Sequence, residues 1–470
     1  MKLFRNAAAG LMLLGATTAT AQDPVETTLN DQTDVAVTAY NGGLALIRDV
    51  RKLKLGKGEQ LLRFSDVAQQ IQPETVSLRS ISSADSISIL EQNYEYDLIS
   101  PSKLMEKFVG RQVKLINVDK DLEFIEKDAK LLSVNEGPVY EIDGKIYLGH
   151  PGNVVLPEIP KNLAASPSLV WTLDNQAEDQ QVEASYLTNG LSWHADYVLT
   201  IPKDESAMDV SAWVTMENQS GATYTNAKLK LVAGDVNRVR QEFHRADMMM
   251  AKAAGAPAAE AMPTQEAFGE YHLYTIPRRT TIKQNQNKQV GLMNAHGVKF
   301  TKRLTFNGNQ GWFYAPAAEE KDLHAEVRIE IENEEKNALG IPLPAGNMRM
   351  YQEDSEGSLQ FLGEDSIPHT PKDETVRLTA GKAFDVVADR RQMDFQKISD
   401  NVQESEFEII VRNHKATDVQ VEIVEPLGGD WEVLKKSHDF TKRDAATIVF
   451  NVPVPKDGET KVTYRVRTRY

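Results

Sequence analysis

The 470-residue chain contains no cysteine. This absence excludes disulfide bonds, thiolate metal sites, a cysteine nucleophile and a lipid-modified cysteine at the N-terminus. Aromatic residues make up only 7% of the chain, and after the N-terminal segment no apolar run approaches the ~18 residues that a membrane-spanning helix needs. Basic residues are outnumbered, 53 against 68 acidic residues, and the net charge of −15 argues against a general nucleic-acid-binding protein. At roughly 150 residues per domain, the length suggests about three domains.

The N-terminus has the three parts of a secretory signal peptide. Lys2 and Arg5 supply the positive region, residues 7–16 form a short apolar run, and Ala19-Thr20-Ala21 offers the small residues of a cleavage site. We therefore predict that the signal peptide is cleaved after Ala21 and that the mature chain is exported, to the periplasm or the extracellular space.

Apolar residues recur at every second position through much of the remaining chain. In residues 323–332, Ala325, Val327 and Ile329 alternate with charged residues, and residues 407–411 repeat the pattern. Strict alternation places one face of a strand in a core and the other in water, as in antiparallel sheets. Asn-Gly and Asp-Gly pairs, which favour tight hairpins, separate such runs. The sequence therefore predicts a mainly β fold.

Helical candidates are few and short. Residues 66–72, with Gln69 placed for a capping box, predict one helix. Residues 102–109, followed by Gly110, predict a second helix.

Three predicted strands end in asparagine, at Asn218, Asn333 and Asn413. Each is followed by a short polar turn and a second apolar run. Asparagine suits a strand end because its side chain can bond to the turn backbone and it tolerates left-handed angles. Immunoglobulin-like sandwiches use such hairpins repeatedly, so we predict antiparallel β-sandwich units of this type.

Two stretches interrupt the pattern. Between residues 104 and 157, five short strands at close spacing predict a small β-barrel inserted into the N-terminal part. Residues 248–263 are rich in alanine and methionine and lack aromatic and β-branched residues, which predicts a disordered loop. The predicted organisation is a signal peptide (1–21), an N-terminal β region (22–103), the inserted barrel (104–157), a β region pairing with the N-terminal part (158–247), the Ala/Met-rich loop (248–265), a β-sandwich (266–395) and a C-terminal immunoglobulin-like sandwich (396–470).

Several motifs carry a resemblance to a known family. They are Tyr40-Asn-Gly-Gly-Leu-Ala-Leu-Ile-Arg-Asp-Val, Tyr186-Leu-Thr-Asn-Gly-Leu-Ser-Trp-His-Ala-Asp-Tyr197, and the segment from Glu217 to Asp235. With them the chain resembles bacterial exported proteins that carry the domain of unknown function 4139, and more distantly mucoidy-inhibitor-like proteins. The resemblance spans most of the chain from Val35 onward. It implies export and a β-rich fold, and it implies no reaction and no catalytic residue.

Ser192, His194 and Asp196 are the residue types of a hydrolase triad. At positions i, i+2 and i+4 of one strand, however, their side chains point the same way with Cα atoms roughly 6–7 Å apart, whereas a triad wraps its base around the nucleophile. The intervening positions form an apolar stripe, namely Leu191, Trp193, Ala195, Tyr197 and Leu199. The alternation therefore favours a solvated face over a buried one.

Other chemical signatures are equally weak. Residues that alternate like calcium ligands are Asn117, Asp119, Asp121 and Glu123, with Asp128 in the twelfth position. The sixth position is Leu122, where a calcium loop has glycine, so we predict a polar turn. The histidines lack zinc-site spacing, and no glycine-rich phosphate loop is present. We therefore predict no catalytic, cofactor-binding or metal-binding residue, and no cofactor.

Two aromatic features suggest binding or membrane roles. Tryptophans that could stack on sugars are Trp171, Trp193, Trp213, Trp312 and Trp431, although isolated tryptophans in β proteins usually belong to the core. The C-terminal strand, in which apolar residues alternate from Val462 to Tyr470, resembles the last strand of an outer-membrane barrel. The rest of the chain lacks that repeat, which favours an ordinary sandwich strand.

The sequence thus predicts an exported cell-envelope protein of non-catalytic function, an interaction or structural β-module that presents loops to an envelope protein or a glycan. The alternative is an envelope hydrolase or carbohydrate-active protein whose carboxylates meet only in the fold. A concave pocket holding a carboxylate pair or a His–carboxylate pair with perturbed pKa values would favour the enzyme. We predict no nucleic-acid partner and no transmembrane segment in the mature chain.

Overall fold

The computed structural model describes residues 24–118, 124–150, 152–160, 163–234, 236–237 and 263–469. The predicted signal peptide and residues 248–262 of the Ala/Met-rich segment lie outside the described residues. In the described ranges the chain forms 31 strands and one α-helix, which confirms the mainly β prediction. No helix in these ranges has the length and apolar character needed to cross a membrane.

The strands up to residue 189 are β1 (Val25–Thr27), β2 (Gln32–Tyr40), β3 (Leu44–Lys54), β4 (Gly58–Ser65), β5 (Ser77–Ser80), β6 (Ile87–Glu95), β7 (Gln112–Val118), β8 (Phe124–Ser133), β9 (Val139–Ile142), β10 (Lys145–Leu148), β11 (Asn153–Val155), β12 (Ser168–Asn175) and β13 (Asp179–Asn189). The next strands are β14 (Leu191–Ile201), β15 (Met208–Asn218), β16 (Tyr224–Ala233), β17 (Thr264–Phe268), β18 (Tyr271–Thr275), β19 (Thr280–Ile282), β20 (Gln286–Val298), β21 (Thr301–Asn307) and β22 (Glu320–Glu332). The last are β23 (Gly346–Glu353), β24 (Leu359–Ile367), β25 (Thr375–Ser399), β26 (Val402–Asn413), β27 (Val419–Pro426), β28 (Asp430–Lys436), β29 (Phe440–Lys442), β30 (Thr447–Val454) and β31 (Gly458–Arg469).

The α-helix α1 (Pro101–Phe108) lies where the sequence predicts its second helix. The Ser100 hydroxyl accepts a hydrogen bond from the backbone N–H of Lys103 at 3.2 Å, and proline occupies the first helical position, where its missing N–H costs nothing. The helix predicted over residues 66–72 is wrong. Asp66 has φ of 64°, a left-handed conformation rather than the extended one of a helix N-cap, and the chain forms a turn and then a short 3₁₀-helix (Pro73–Thr75).

The described residues divide into two compact units. The first unit contains residues 24–37, Leu46–Asn189 and Gln219–Ala227. Its four-stranded sheet has the order β1-β4-β12-β6, and β13 pairs with β5. A separate five-stranded sheet has the order β10-β9-β8-β7-β11 within the range predicted as a small barrel, and it packs its own apolar core with α1.

The second unit contains Thr38–Ala45, Gly190–Asn218 and the described residues from Lys228 onward. One of its sheets has the order β20-β15-β14-β23-β24. The other has nine strands in the order β28-β31-β26-β25-β22-β21-β27-β30-β29. Residues from both halves of this nine-stranded sheet share one apolar core, which gives a sandwich-like arrangement. The domain boundary predicted at residue 395 falls inside β25.

The asparagine-ended strands do not form the predicted hairpins. β26 pairs with β25 and β31, whereas β27 pairs with β21 and β30, so the chain passes from one part of the sheet to another after Asn413. The Asn413 side chain is buried, donates to the backbone carbonyls of Thr417 and Pro455, and accepts from the N–H of Lys415. Asn333 is buried in the same way. The asparagine side chains at these strand ends therefore supply hydrogen bonds to buried backbone groups of the loop that leads to a distant strand. The local sequence does not distinguish such a loop from a hairpin turn.

Candidate functional site

Strand β14 carries the candidate triad residues Ser192, His194 and Asp196. The predicted burial of the aromatic residues of β14 is confirmed, since Trp193 and Tyr197 are both buried. The Trp193 indole N–H donates to the backbone carbonyl of Ala39, and the Tyr197 hydroxyl donates to that of Pro344. His194 is exposed and Ser192 is half-buried. In the described part of the chain, Ser192 makes no hydrogen bond to His194, so the structure does not assemble the triad.

Asp196 is the one of the three that the fold buries. Its carboxylate accepts hydrogen bonds from the Thr215 hydroxyl at 2.5 Å and from Arg349 at 3.0 Å, and His194 Nε2 lies 3.2 Å away. Burial opposes its ionisation, but the hydrogen bonds from His194 and Thr215 and the charges nearby lower its pKa to about 2. The hydrogen bond to Asp196 raises the pKa of His194. These groups form a closed ion-pair cluster that stabilises the sheet.

The remaining candidates from the sequence do not converge. Of the calcium-like residues, Asn117 lies on β7 and Asp128 on β8, and residues 119–123 lie outside the described residues. Within the described ranges, no group of three or more His, Asp or Glu side chains could hold a metal ion. Trp171 and Trp193 are fully buried core residues, and Trp312 and Trp431 pack against the core of the nine-stranded sheet.

A polar cleft of the first unit lies on the outer face of the sheet β1-β4-β12-β6. It has a volume of about 850 Å³. The inward face of these strands holds Phe64 and Trp171 in the core. The outward face presents hydroxyl and charged side chains in register, because Ser168 of β12 lies opposite Ser65 of β4 and Glu95 of β6. The cleft is therefore a product of strand pairing between residues far apart in sequence.

Tyr94 and Tyr96 border this cleft, called here the tyrosine cleft, at the end of β6, and Tyr94 lies opposite Leu169, on the other face of the sheet from Glu95 and Ser168. Tyr94 and Tyr96 stack with ring centroids 5.4 Å apart and an interplanar angle of 28°. The Tyr94 hydroxyl donates to the backbone carbonyl of Gln69 at 3.1 Å, and burial together with the neighbouring Tyr96 raises the pKa of Tyr94. Tyr96 is 70% exposed. The anchored ring therefore holds a solvent-facing aromatic ring in a fixed orientation.

The carboxylates of the cleft are all engaged by donors. Glu26 accepts a hydrogen bond from the Ser65 hydroxyl at 3.0 Å, and Glu95 forms an ion pair with Arg63. Asp97 lies 2.7 Å from the Lys107 ammonium group, and the hydrogen bond from Lys107 lowers the pKa of Asp97.

The family model described as "Domain of unknown function (DUF4139)" matches residues 182–470. The chain belongs to the DUF4139 family. No curated protein matches the chain. The DUF4139 segment includes the Asp196 cluster and the whole nine-stranded sheet, whereas every residue that lines the tyrosine cleft precedes the DUF4139 segment.

The sequence reasoning missed Tyr94 and Tyr96, although a signal was present. Residues at i and i+2 of a strand share one face, so the motif Tyr-Glu-Tyr in a strand predicts two rings side by side. The polar partners Ser65, Ser168 and Arg63 had no comparable signal, because their contribution depends on which strands pair.

Proposed function

We propose that the protein is exported to the cell envelope and acts there as a non-catalytic interaction module that binds a glycan in the tyrosine cleft. The observation that carries this proposal is the exposed ring of Tyr96, fixed by its stacking on Tyr94. A rigid aromatic surface that is apolar on its face and polar at its tip is suited to a ligand with both apolar C–H groups and hydroxyls. Export rests on the sequence of the N-terminus.

The walls of the cleft match a polyhydroxylated ligand. Hydroxyl groups come from Ser65 and Ser168, donors from Arg63 and Lys103, and an acceptor from Glu95. Apolar lining is limited to small surfaces around Leu163 to Ala165. Binding pockets for apolar ligands are instead lined mainly by hydrophobic side chains. The mixture of donors and acceptors in a cleft that an exposed aromatic ring borders therefore favours a sugar over a lipid or an apolar peptide.

The same cleft supports binding better than glycoside hydrolysis. A hydrolase needs one carboxylic acid with a raised pKa and a second free carboxylate nearby. Here Asp97 has a lowered pKa, and Glu26 and Glu95 are held by a hydroxyl and a guanidinium group. Glu26 and Glu95 are also exposed to solvent, and Asp97 is half-buried.

Isothermal titration calorimetry tests the proposal, with residues 22–470 titrated with cellotetraose, chitotetraose and an oligogalacturonate. We expect one of these oligosaccharides to bind and Tyr96→Ala to weaken that binding by at least about tenfold, because exposed aromatic anchors dominate such interfaces. Tyr96→Phe keeps the ring and should keep the affinity. Tyr147→Ala removes a partly exposed tyrosine of β10, outside the cleft, and serves as the matched control.

Two results would overturn glycan binding at this cleft: no oligosaccharide binds, or Tyr96→Ala and Tyr147→Ala bind equally well. Chromatography of the titrated samples separates binding from hydrolysis. If shortened oligosaccharides accumulate with the wild-type chain and not with Glu95→Gln, the hydrolase alternative replaces the non-catalytic role.

A further inference from the structure

A groove lined by four arginines lies within the DUF4139 segment, on one face of the nine-stranded sheet. It has a volume of about 600 Å³. The charged residues of its lining are Arg303, Arg328, Arg377, Arg443, Glu330 and Glu422, and we call it the arginine groove. In a chain whose net charge is −15, a lining in which basic groups outnumber acidic ones requires a local explanation.

Strand pairing brings these side chains to the same face of the sheet. Arg377 of β25 lies opposite Glu330 of β22, and Arg328, two positions earlier on β22, lies opposite Arg303 of β21. Glu422 of β27 lies opposite the residue two positions after Arg303 on β21. Positions two apart on a strand share a face, so all these side chains extend into one groove.

Guanidinium and carboxylate groups alternate along the groove. Glu330 Oε2 accepts a hydrogen bond from Arg303 Nε at 2.7 Å, and Glu330 Oε1 lies 3.5 Å from Arg377 Nε. Glu422 Oε1 accepts from Arg303 Nη1 at 2.7 Å, and Glu422 Oε2 accepts from Arg443 Nη2 at 3.3 Å. The resulting row runs from Arg377 to Arg443, and both of its carboxylates are shared between two arginines.

The two arginines at the ends of the row retain open donors. The Arg377 side chain is 69% exposed, and within the described residues its closest carboxylate contact is the one at 3.5 Å. The Arg443 side chain is 43% exposed and donates through one nitrogen only. A guanidinium group can form two parallel hydrogen bonds with a carboxylate, so each end of the row can bind one more carboxylate.

Arg328 adds a fourth guanidinium group beside the centre of the row. Its position opposite Arg303 is unfavourable by itself, because like charges directly opposed on neighbouring strands destabilise a sheet. Glu326 lies 3.0 Å from Arg328 and neutralises it. Four arginines therefore face three carboxylates, and the groove keeps one positive charge in excess.

We propose that the arginine groove binds an acidic glycan that carries carboxylates at intervals along its chain. One ligand carboxylate would accept hydrogen bonds from Arg377 and another from Arg443, so that the ligand continues the alternation of charge at both ends of the row. A single small anion cannot contact both arginines, because Glu330, Arg303 and Glu422 lie between them.

The uncharged lining favours a glycan over an acidic peptide. Thr441 and Asn451 are exposed in the groove and offer neutral hydrogen-bonding groups to sugar hydroxyls. Val449 is the one apolar residue among the described residues of the lining, whereas peptide grooves usually contain pockets for apolar side chains. The arginine groove shares no residue with the tyrosine cleft, so either site can fail without the other.

Titration calorimetry of residues 22–470 with tetragalacturonate at low ionic strength tests the site. The fully methyl-esterified tetramer is the matched ligand, because it keeps the sugar chain and removes every negative charge. We expect tetragalacturonate to bind with one-to-one stoichiometry and the ester to bind at least about tenfold more weakly, since hydrogen bonds to charged groups are the stronger ones. Tyr96→Ala, which removes the exposed ring of the tyrosine cleft, should leave the affinity for tetragalacturonate unchanged.

Arg377→Gln and Arg443→Gln should each weaken tetragalacturonate binding by about tenfold, because each removes a charged donor from one end of the row. Both side chains are exposed, so both variants should fold. The affinity of either variant should also depend less on salt than that of the wild-type chain, since ions screen exposed charges. Arg391→Gln makes the same change at an exposed arginine of β25 outside the groove and should leave the affinity unchanged.

The proposal is overturned if tetragalacturonate does not bind, if the methyl ester binds equally well, or if Arg377→Gln and Arg443→Gln both bind as Arg391→Gln does. Loss of tetragalacturonate binding in Tyr96→Ala alone would locate the ligand in the tyrosine cleft, which would support the proposed function and overturn this second site. A tetraglutamate peptide that binds the groove more tightly than tetragalacturonate would identify the ligand as an acidic peptide and overturn the glycan assignment.

Discussion

Arg390 and Glu425 form an ion pair that is withdrawn from solvent on both sides, since Glu425 is completely buried and Arg390 nearly so. Burial raises the pKa of Glu425, while the negative charge of Glu425 opposes the effect of burial on Arg390. Gly308 packs so closely against the Glu425 carboxylate that an added Cβ atom would overlap Oε2. The close packing of Gly308 therefore fixes the position of the Glu425 carboxylate, in addition to the attraction between the two charges.

Glu425→Gln should destabilise the nine-stranded sheet by about 3–5 kcal/mol, because it leaves the Arg390 guanidinium buried without its counter-charge. Urea denaturation followed by tryptophan fluorescence measures this loss. Arg391→Met is the control: Arg391 pairs with Glu319 at the surface, and removing an exposed pair should cost no more than about 1 kcal/mol. Equal costs for the two variants would contradict the prediction.

Trp193→Ala should lower the free energy of unfolding by roughly 3–5 kcal/mol, as removal of a large core side chain does. The indole is buried and its Nε1–H donates to the Ala39 carbonyl at 3.1 Å, so the substitution leaves a cavity and an unpaired acceptor. Ser192→Ala lies on the solvated face of β14 and should change the free energy of unfolding by only about 0.5 kcal/mol, whereas His194→Ala also removes the hydrogen bond to Asp196 and should cost about 1 kcal/mol. Urea denaturation of the three variants measures these free energies of unfolding. A Trp193→Ala variant as stable as the wild-type protein would mean that β14 presents its other face to the core.

Because the pKa of Asp196 is lowered in the folded state, the free energy of unfolding should fall in acid. Its pKa is about 2 in the folded state against an ordinary value of 3.8, so its contribution is complete above pH 3.8 and disappears as the pH falls through 2. The shift corresponds to about 2 kcal/mol at neutral pH. The Asp196→Asn variant should therefore have a free energy of unfolding lower by about 2 kcal/mol at pH 7. Its free energy of unfolding should also decline less between pH 5 and pH 2 than that of the wild-type protein. Identical pH profiles for the two proteins would refute a lowered pKa.

Ala21→Arg should block removal of the signal peptide, because the cleavage site requires a small residue at its last position. Intact-mass measurement of the exported wild-type protein should show a chain that begins at Gln22. Thr20→Arg alters the tolerant middle position of the same motif and should leave processing intact. An exported wild-type protein that retains Met1 would disprove the signal-peptide prediction.

The parts of the fold that the sequence predicts are those that depend on local pattern. The alternation of β14 and of β31 gives the correct buried faces, with Tyr464 and Val466 in the core and Arg465 outside it, and the stretch that ends at Gly110 predicts the α-helix of the described residues. The parts it misses depend on long-range pairing. Nothing near Asn413 indicates that β27 will pair with β21, more than a hundred residues earlier, rather than with β26.

The buried ion pair and the tyrosine cleft show the same difference between features that depend on local pattern and features that depend on long-range pairing. Arg390 stands in register with Val386 and Ala388 on the inward face of β25, so a strict reading of the two-residue period would have predicted a buried arginine. The partner that makes its burial tolerable, Glu425, lies on another strand. The tyrosine cleft likewise depends on the pairing of β12 with β4 and β6, which brings Ser168 beside Ser65 and Glu95.

The tyrosine cleft and the DUF4139 segment occupy separate stretches of sequence. The residues that line the cleft lie between positions 26 and 168, and the DUF4139 segment begins at residue 182. A substitution in the lining of the cleft therefore leaves the sequence of the DUF4139 segment unchanged. Descendants of one ancestral gene can consequently diversify the lining of the cleft while they inherit the same DUF4139 segment, so the two parts can change at independent rates.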